Sequence, residues 1–97
     1  MSFVQILEFD TNRVAEVESL MNEWRTQTEG TRYVRREVVA KHRDRPDHYV
    51  AIVEFSSYED AQRNSRLPET DQFNAHMAKL CERPVEFSNY DVIRDKS

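Results

Sequence analysis

Residues 48–61 read His-Tyr-Val-Ala-Ile-Val-Glu-Phe-Ser-Ser-Tyr-Glu-Asp-Ala. Within two residues this stretch changes from a strand pattern to the start of a helix. The first eight are rich in β-branched and aromatic side chains, which predicts a strand. Ser57, followed three residues later by Asp60, forms a capping-box pattern and predicts a helix from Tyr58. This stretch therefore predicts a strand that leads directly into a helix.

A weaker copy of this pattern begins 46 residues earlier, where Ile6-Leu7-Glu8-Phe9 is followed by the N-cap candidates Asp10-Thr11-Asn12. Residues 3–9 predict a strand with apolar side chains on both faces. A helical stripe at 3.6-residue spacing follows, formed by Val14, Val17, Leu20, Met21, Trp24 and Thr28. We expect this helix to end at Gly30, the only glycine, since glycine readily adopts the left-handed conformation that stops helices.

The remaining segments complete the order βαββαβ. Residues 32–42 and 48–55 predict a hairpin around the polar turn 43–47. Pro68 predicts an interruption of the second helix at or just after Leu67, and the helix resumes as far as Leu80. A last strand is expected over residues 85–93.

This order predicts one α+β domain over residues 1–97. A ferredoxin-like, four-stranded antiparallel sheet carries both helices on one face, with strands 1 and 3 in the centre. A single glycine argues against a many-stranded sandwich, because tight hairpins need residues at positive φ.

The sheet face away from the helices carries aliphatic side chains at Val4, Ile6, Val50 and Ile52. An uncovered apolar face of this kind is typical of an interaction surface. We therefore expect a homodimer in which two sheets pack face to face, the alternative being a solvated sheet with scattered aliphatic side chains.

Composition excludes several classes of protein. The chain has 97 residues, 14 basic and 18 acidic side chains and one cysteine, so neither a disulfide framework nor a cysteine-rich zinc site is expected. We expect Cys81 to act as a small buried hydrophobic residue. Since neither a signal peptide nor a membrane span is apparent, a cytoplasmic location without membrane contact is the default expectation.

Nucleic-acid binding is not expected either, although residues 32–45 carry six basic and two acidic side chains. The aromatic RNP1 pattern of RNA-binding sheets is missing, and the sequence pI is about 5.3. A solvated or salt-bridged hairpin is the favoured interpretation.

Among the histidines, His42 and His48 are expected at exposed strand ends, and we expect no metal site there. His76 falls at the edge of the apolar helix face, one turn after Gln72, where it suits a general base or a substrate hydrogen bond. A core-edge histidine bonded to backbone or water is the alternative. Aromatic side chains such as Trp24 could line a ligand pocket or simply form core.

A possible carboxylate pair is formed by Glu8 and Glu54 on neighbouring strands. Ion pairing with Arg36 or another hairpin arginine is the alternative for these side chains.

Two stretches resemble the dimeric α+β barrel superfamily, and within it the antibiotic biosynthesis monooxygenase (ABM) type. They are Phe55-Ser56-Ser57-Tyr58-Glu59-Asp60-Ala61 and, after the proline, Glu69-Thr70-Asp71-Gln72-Phe73-Asn74-Ala75-His76. In that family an aromatic residue ends strand 3, an acidic helix start follows, and a later helix can carry a Phe-x-x-x-His pattern. Here Phe73 and His76 are three residues apart rather than four.

The resemblance implies a homodimer. Some family members oxidise quinol-like aromatics with O₂ and no cofactor, and others degrade haem through an Asn, Trp and His set. The family histidine corresponds to His76 and the strand-3 tryptophan lies near Phe55, whereas the strand-1 asparagine has no counterpart, which disfavours haem degradation.

The resulting prediction is a cofactor-independent monooxygenase acting on a small aromatic, quinol-like substrate. His76 is the candidate base, and the candidate substrate-binding residues are Trp24, Phe73, Gln72 and Phe55. No cofactor and no metal are expected. The alternative is a non-catalytic small-ligand-binding or assembly module of the same fold, with its pocket filled by its own side chains.

Overall fold

The computed structural model describes residues 2–97, which form four strands and three helices. In chain order these are β1 (Phe3–Asp10), α1 (Val14–Gln27), β2 (Val34–Lys41), β3 (His48–Phe55), α2 (Tyr58–Ser65), α3 (Pro68–Leu80) and β4 (Glu86–Asp91). The strands form one antiparallel sheet in the order β2-β3-β1-β4. The predicted βαββαβ order, with strands 1 and 3 in the centre, is confirmed.

The core lies between the helices and one face of the sheet, called here the inner face. On β1 the inner-face residues Phe3, Leu7 and Phe9 are buried, as the alternation predicts. They join buried residues of β3 and of the helices, namely Val17, Met21, Tyr49, Ala51, Val53, Phe55, Ala61 and Met77. Cys81 packs partly buried against this cluster, and burial raises the pKa of its thiol.

The second helical region begins and breaks as the sequence predicts. The Ser57 hydroxyl accepts a hydrogen bond from the backbone N–H of Asp60 at 3.1 Å, which caps α2. Pro68 occupies the first turn of α3, and Leu67 before it is extended with ψ 132°. A residue that precedes proline is pushed out of the helical region by steric contact with the ring, so the chain breaks here.

The first helix is shorter than expected. It ends at Gln27, and the Thr28 N–H makes the last i→i−4 bond, to the carbonyl of Trp24, which also accepts the Thr28 hydroxyl. The next backbone N–H, that of Glu29, donates to the carbonyl of Thr26 instead, so the helical pattern is lost. Gly30 has the expected positive φ of 83°, but it lies in the turn that follows the helix. The expectation that Gly30 ends the helix directly is therefore wrong.

The outer face of the sheet points away from the helices. Its centre is an apolar row in which Val38, Ile52 and Ile6 are paired side by side across β2, β3 and β1. All three side chains are only half-buried. None of the helices described between residues 2 and 97 is long and apolar enough to cross a membrane.

Candidate functional site

A cavity of about 170 Å³ lies between the inner face of the sheet and the three helices. The sheet forms its floor and the helices form its walls. Its lining residues are Gln5, Leu7, Met21, Trp24, Val34, Glu37, Ala51, Val53, Phe55, Asn64, Ser65, Thr70, Phe73, Asn74 and Phe87. A dry engineered cavity of similar size, about 150 Å³, binds benzene, so this space suits roughly one aromatic ring.

Trp24 and Phe73 form an aromatic wall where α1 meets α3. Their ring centroids are 6.5 Å apart and their planes are tilted by 58°. The indole N–H of Trp24 donates to the Thr70 hydroxyl at 3.0 Å, which fixes the orientation of the ring. Since Trp24 is 7% exposed, this hydrogen bond satisfies a donor that burial would otherwise leave without a partner.

Polar groups enter the cavity from two other elements. Asn64 on α2 is 7% exposed, and its side-chain oxygen accepts the backbone N–H of Tyr33 at 3.2 Å. This hydrogen bond ties α2 to the segment before β2. On β2, Glu37 lines the same space, and burial raises the pKa of its carboxyl group above its usual value. The cavity is thus apolar with a few polar groups, as is typical of small-molecule sites.

The sequence-predicted site residues separate into two groups. Trp24, Phe73 and Phe55 all line the cavity. Gln72 is exposed on α3 and does not line it, and His76 lines an open groove between α1 and α3 on the outer side of the helices. The structure therefore does not bring His76 to the aromatic wall, because the successive turns of α3 present Phe73 and Met77, not His76, to the interior.

Sequence reasoning missed the polar cavity residues Glu37, Asn64 and Thr70. For Glu37 the reason is a β-bulge between Val34 and Arg36, which inserts one extra residue into β2. Simple alternation from Val34 would place Arg36 on the inner face, whereas the bulge puts Glu37 there, opposite Val53. No local pattern in this sequence marks such a shift.

A second polar cluster lies at the far end of the central strands, away from the cavity. His48 is 8% exposed, and its Nδ1 lies 2.5 Å from Asp10 Oδ1 while its Nε2 lies 3.3 Å from Glu8 Oε1. Arg83 donates to the other oxygen of Asp10. The hydrogen bonds from His48 and Arg83 lower the pKa of Asp10. The expectation that His48 is exposed is wrong, because strand pairing places it directly opposite Asp10.

The possible pairing of Glu8 with Glu54 is excluded by the strand register. Glu8 lies opposite Val50 and Glu54 lies opposite Val4, so the two carboxylates occupy different ends of the strand pair. Glu54 instead lies 3.7 Å from the guanidinium of Arg36, which confirms the alternative interpretation as an ion pair. Within residues 2–97, no group of three or more His, Cys, Asp or Glu side chains could hold a metal ion.

Solved structures show a close likeness to this arrangement of strands and helices. SnoaB, a cofactor-independent oxygenase from Streptomyces nogalater, superposes with a TM-score of 0.81 at 16% identity, covering 97% of this chain and 95% of SnoaB. A Nitrosomonas europaea protein named as a candidate antibiotic biosynthesis monooxygenase superposes with a TM-score of 0.79 at 12% identity, covering 99% of this chain and 94% of that protein. The chain has the ABM fold.

The ABM fold extends over the whole chain. Rv0793 from Mycobacterium tuberculosis superposes with a TM-score of 0.81 at 16% identity, and the alignment covers 100% of both chains. No protein-family model and no curated protein matches the sequence. At these identities the likeness establishes the ABM fold, and function has to be argued from the residues of the site.

Proposed function

We propose that this chain is a cofactor-independent monooxygenase that oxidises a small, quinol-like aromatic substrate in the cavity between sheet and helices. The observation that carries the proposal is the aromatic wall of Trp24 and Phe73 over a cavity large enough for about one ring. The ABM fold, shared with the cofactor-independent oxygenase SnoaB, supports it.

The proposed reaction needs only the substrate and O₂. A hydroquinone gains one oxygen atom of O₂ as a new C–O bond and becomes a hydroxyquinone. The second oxygen atom leaves as water together with two hydrogens of the substrate. The ring supplies all of the electrons, so the protein has to position the ring, exclude water and move a proton.

The test is ¹⁸O₂ incorporation with hydroquinone as the probe. A monooxygenase places one ¹⁸O atom in the hydroxyquinone product, whereas spontaneous oxidation gives quinone and peroxide without labelling the ring. We expect protein-dependent labelling in the wild type and a loss of about tenfold or more in Trp24→Phe, because the ring loses its fixed wall. Unlabelled product at every protein concentration would contradict the proposed reaction.

His76→Ala is the comparison variant for the predicted base. Since His76 lies in the groove between α1 and α3, we expect this variant to keep the wild-type labelling rate. A loss of labelling in His76→Ala with intact folding would instead place the reaction in that groove.

A non-catalytic small-ligand-binding module remains the second candidate. Among the described residues that line the cavity, Glu37 alone is ionisable, whereas His48 and its charged neighbours lie elsewhere. The small number of ionisable side chains available for acid–base chemistry favours the second candidate. Saturable binding of an aromatic ring without any ¹⁸O incorporation would support it.

We also propose that the outer face of the sheet forms a homodimer. The half-buried row of Val38, Ile52 and Ile6 continues to Val4, and Tyr90 beside Val4 is 54% exposed. Burying such a row against a second copy removes apolar surface from water on both chains. Sedimentation equilibrium should give a mass twice the 11.6 kDa of the chain, and a concentration-independent monomer would contradict the dimer.

A further inference from the structure

Glu37 is the one ionisable side chain among the described residues that line the cavity. The bulge at the start of β2 turns it toward the helices, where strict alternation would have placed an arginine. Its neighbours on the cavity floor are apolar, with Val53 directly opposite on β3. Glu37 is thus the one carboxylate residue lining a space otherwise walled by aromatic, aliphatic and neutral polar side chains.

Among residues 2–97 the carboxyl group of Glu37 makes no hydrogen bond and no ion pair, and its oxygens keep some access to solvent. Arg25 and Arg32 are the cations whose charge acts on it, but their effect on its pKa is smaller than that of burial. The Arg32 guanidinium is instead engaged with the backbone carbonyl of Arg25 at 2.8 Å. Glu37 therefore keeps its full hydrogen-bonding capacity for a molecule inside the cavity.

A partly buried carboxyl group without a partner lowers the stability of the folded chain, because it loses water without gaining a hydrogen bond. A ligand that brings an O–H donor reverses this loss. The cavity combines such a carboxyl group with the aromatic wall of Trp24 and Phe73.

We propose that Glu37 binds the hydroxyl group of a phenolic ring and takes its proton, so that the cavity distinguishes phenols from bare aromatic rings. The inference rests on the proposed function, since it assigns the base of that reaction. The transfer moves one proton from the phenol oxygen to the carboxylate and leaves a phenolate on the ring. No electron moves in this step, and the phenolate is a better electron donor to O₂ than the neutral phenol.

The environment of Glu37 suits this transfer. A phenol has a pKa of about 10, far above that of an ordinary glutamate. Burial raises the pKa of Glu37 and so reduces the difference in pKa between the phenol and the carboxyl group, which favours proton transfer.

The test compares p-cresol with p-xylene by isothermal titration calorimetry, because these probes differ only by a hydroxyl in place of a methyl group. We expect wild-type protein to bind p-cresol about 10- to 100-fold more tightly, the range of one hydrogen bond to a charged group. In Glu37→Leu the preference should vanish while p-xylene binding persists. Glu18→Leu, the same change on the exposed side of α1, should keep the wild-type preference.

Three results would overturn the inference, and they are distinguishable. If wild-type protein binds both probes equally, or if Glu37→Leu keeps the preference, Glu37 does not recognise the hydroxyl although the cavity still takes a ring. If neither probe binds, the proposed function fails as well.

Glu37→Gln tests the proton transfer separately and also covers the case in which Glu37→Leu does not fold. Glutamine keeps an acceptor oxygen but cannot act as a base at neutral pH. We expect the preference for p-cresol to fall severalfold and ¹⁸O incorporation into hydroquinone to fall by about 100-fold. Wild-type incorporation in Glu37→Gln would contradict the role of Glu37 as a base.

Discussion

Replacing Ala51 by valine tests whether the space between sheet and helices is open. Ala51 is 2% exposed, lies on the central strand β3 and lines the cavity. Valine adds two buried carbons worth about 0.8 kcal/mol each and loses about 0.5 kcal/mol of side-chain entropy. The expected net stabilisation is about 1 kcal/mol, which raises Tm by about 4–8 °C in a domain of this size.

The assay is thermal unfolding followed by circular dichroism, combined with p-cresol titration. Ala75→Val makes the same change at an exposed position of α3 and should lower the stability by no more than about 0.7 kcal/mol, the range of helix propensity among ordinary residues. Ala51→Val should also weaken p-cresol binding, because the methyl groups occupy the space of the ring. A destabilisation of about 1 kcal/mol or more would refute the reasoning, since it would mean that the site is already filled.

Three further substitutions test other features of the molecule. Glu37→Gln should raise Tm at neutral pH and lose this advantage below about pH 4.5. The reason is that the pKa of Glu37 is raised in the folded chain, so the wild type becomes less stable as pH rises from 4.5 through that pKa. Equal Tm values of variant and wild type across pH 4–8 would contradict this. Asp10→Asn should lower Tm at pH 7, and the Tm difference from the wild type should shrink below pH 3.8. The hydrogen bonds that lower the pKa of Asp10 stabilise the folded chain only while that carboxyl is ionised. A Tm difference that does not change with pH in circular dichroism melts would contradict this. Ile52→Asp should weaken dimerisation at least tenfold, about 1.4 kcal/mol, as measured by sedimentation equilibrium. The control Ala75→Asp, at an exposed position of α3, should leave the dimer affinity unchanged. A dimer of unchanged affinity in Ile52→Asp would exclude the outer face as the interface.

The fold could be predicted because its signals are local. The cap at Ser57, the break at Pro68 and the alternation on β1 each depend on neighbouring residues, and each is present in the structure. The end of α1 is less well predicted, because the helix ends at Gln27, where the Thr28 hydroxyl bonds back to the carbonyl of Trp24, and not at the glycine. A side chain that competes for a helical carbonyl leaves little trace in a hydrophobic pattern.

The cavity could be predicted only in part. Aromatic residues at helical spacing indicated Trp24 and Phe73, since apolar stripes point inward. Glu37 could not be found, because a one-residue bulge reverses which side chains face the core. The Asp10–His48 contact also escaped prediction, since it depends on the register between β1 and β3.

The central claim is that an aromatic ring enters the cavity beside Trp24. The sequence contains one tryptophan, so a ¹⁵N-labelled sample gives a single indole N–H signal that needs no assignment. Titration with p-cresol should shift this signal progressively and to saturation, because the indole lies in the cavity wall with its N–H held by Thr70. An indole signal that stays unshifted up to the solubility limit of p-cresol would contradict the account.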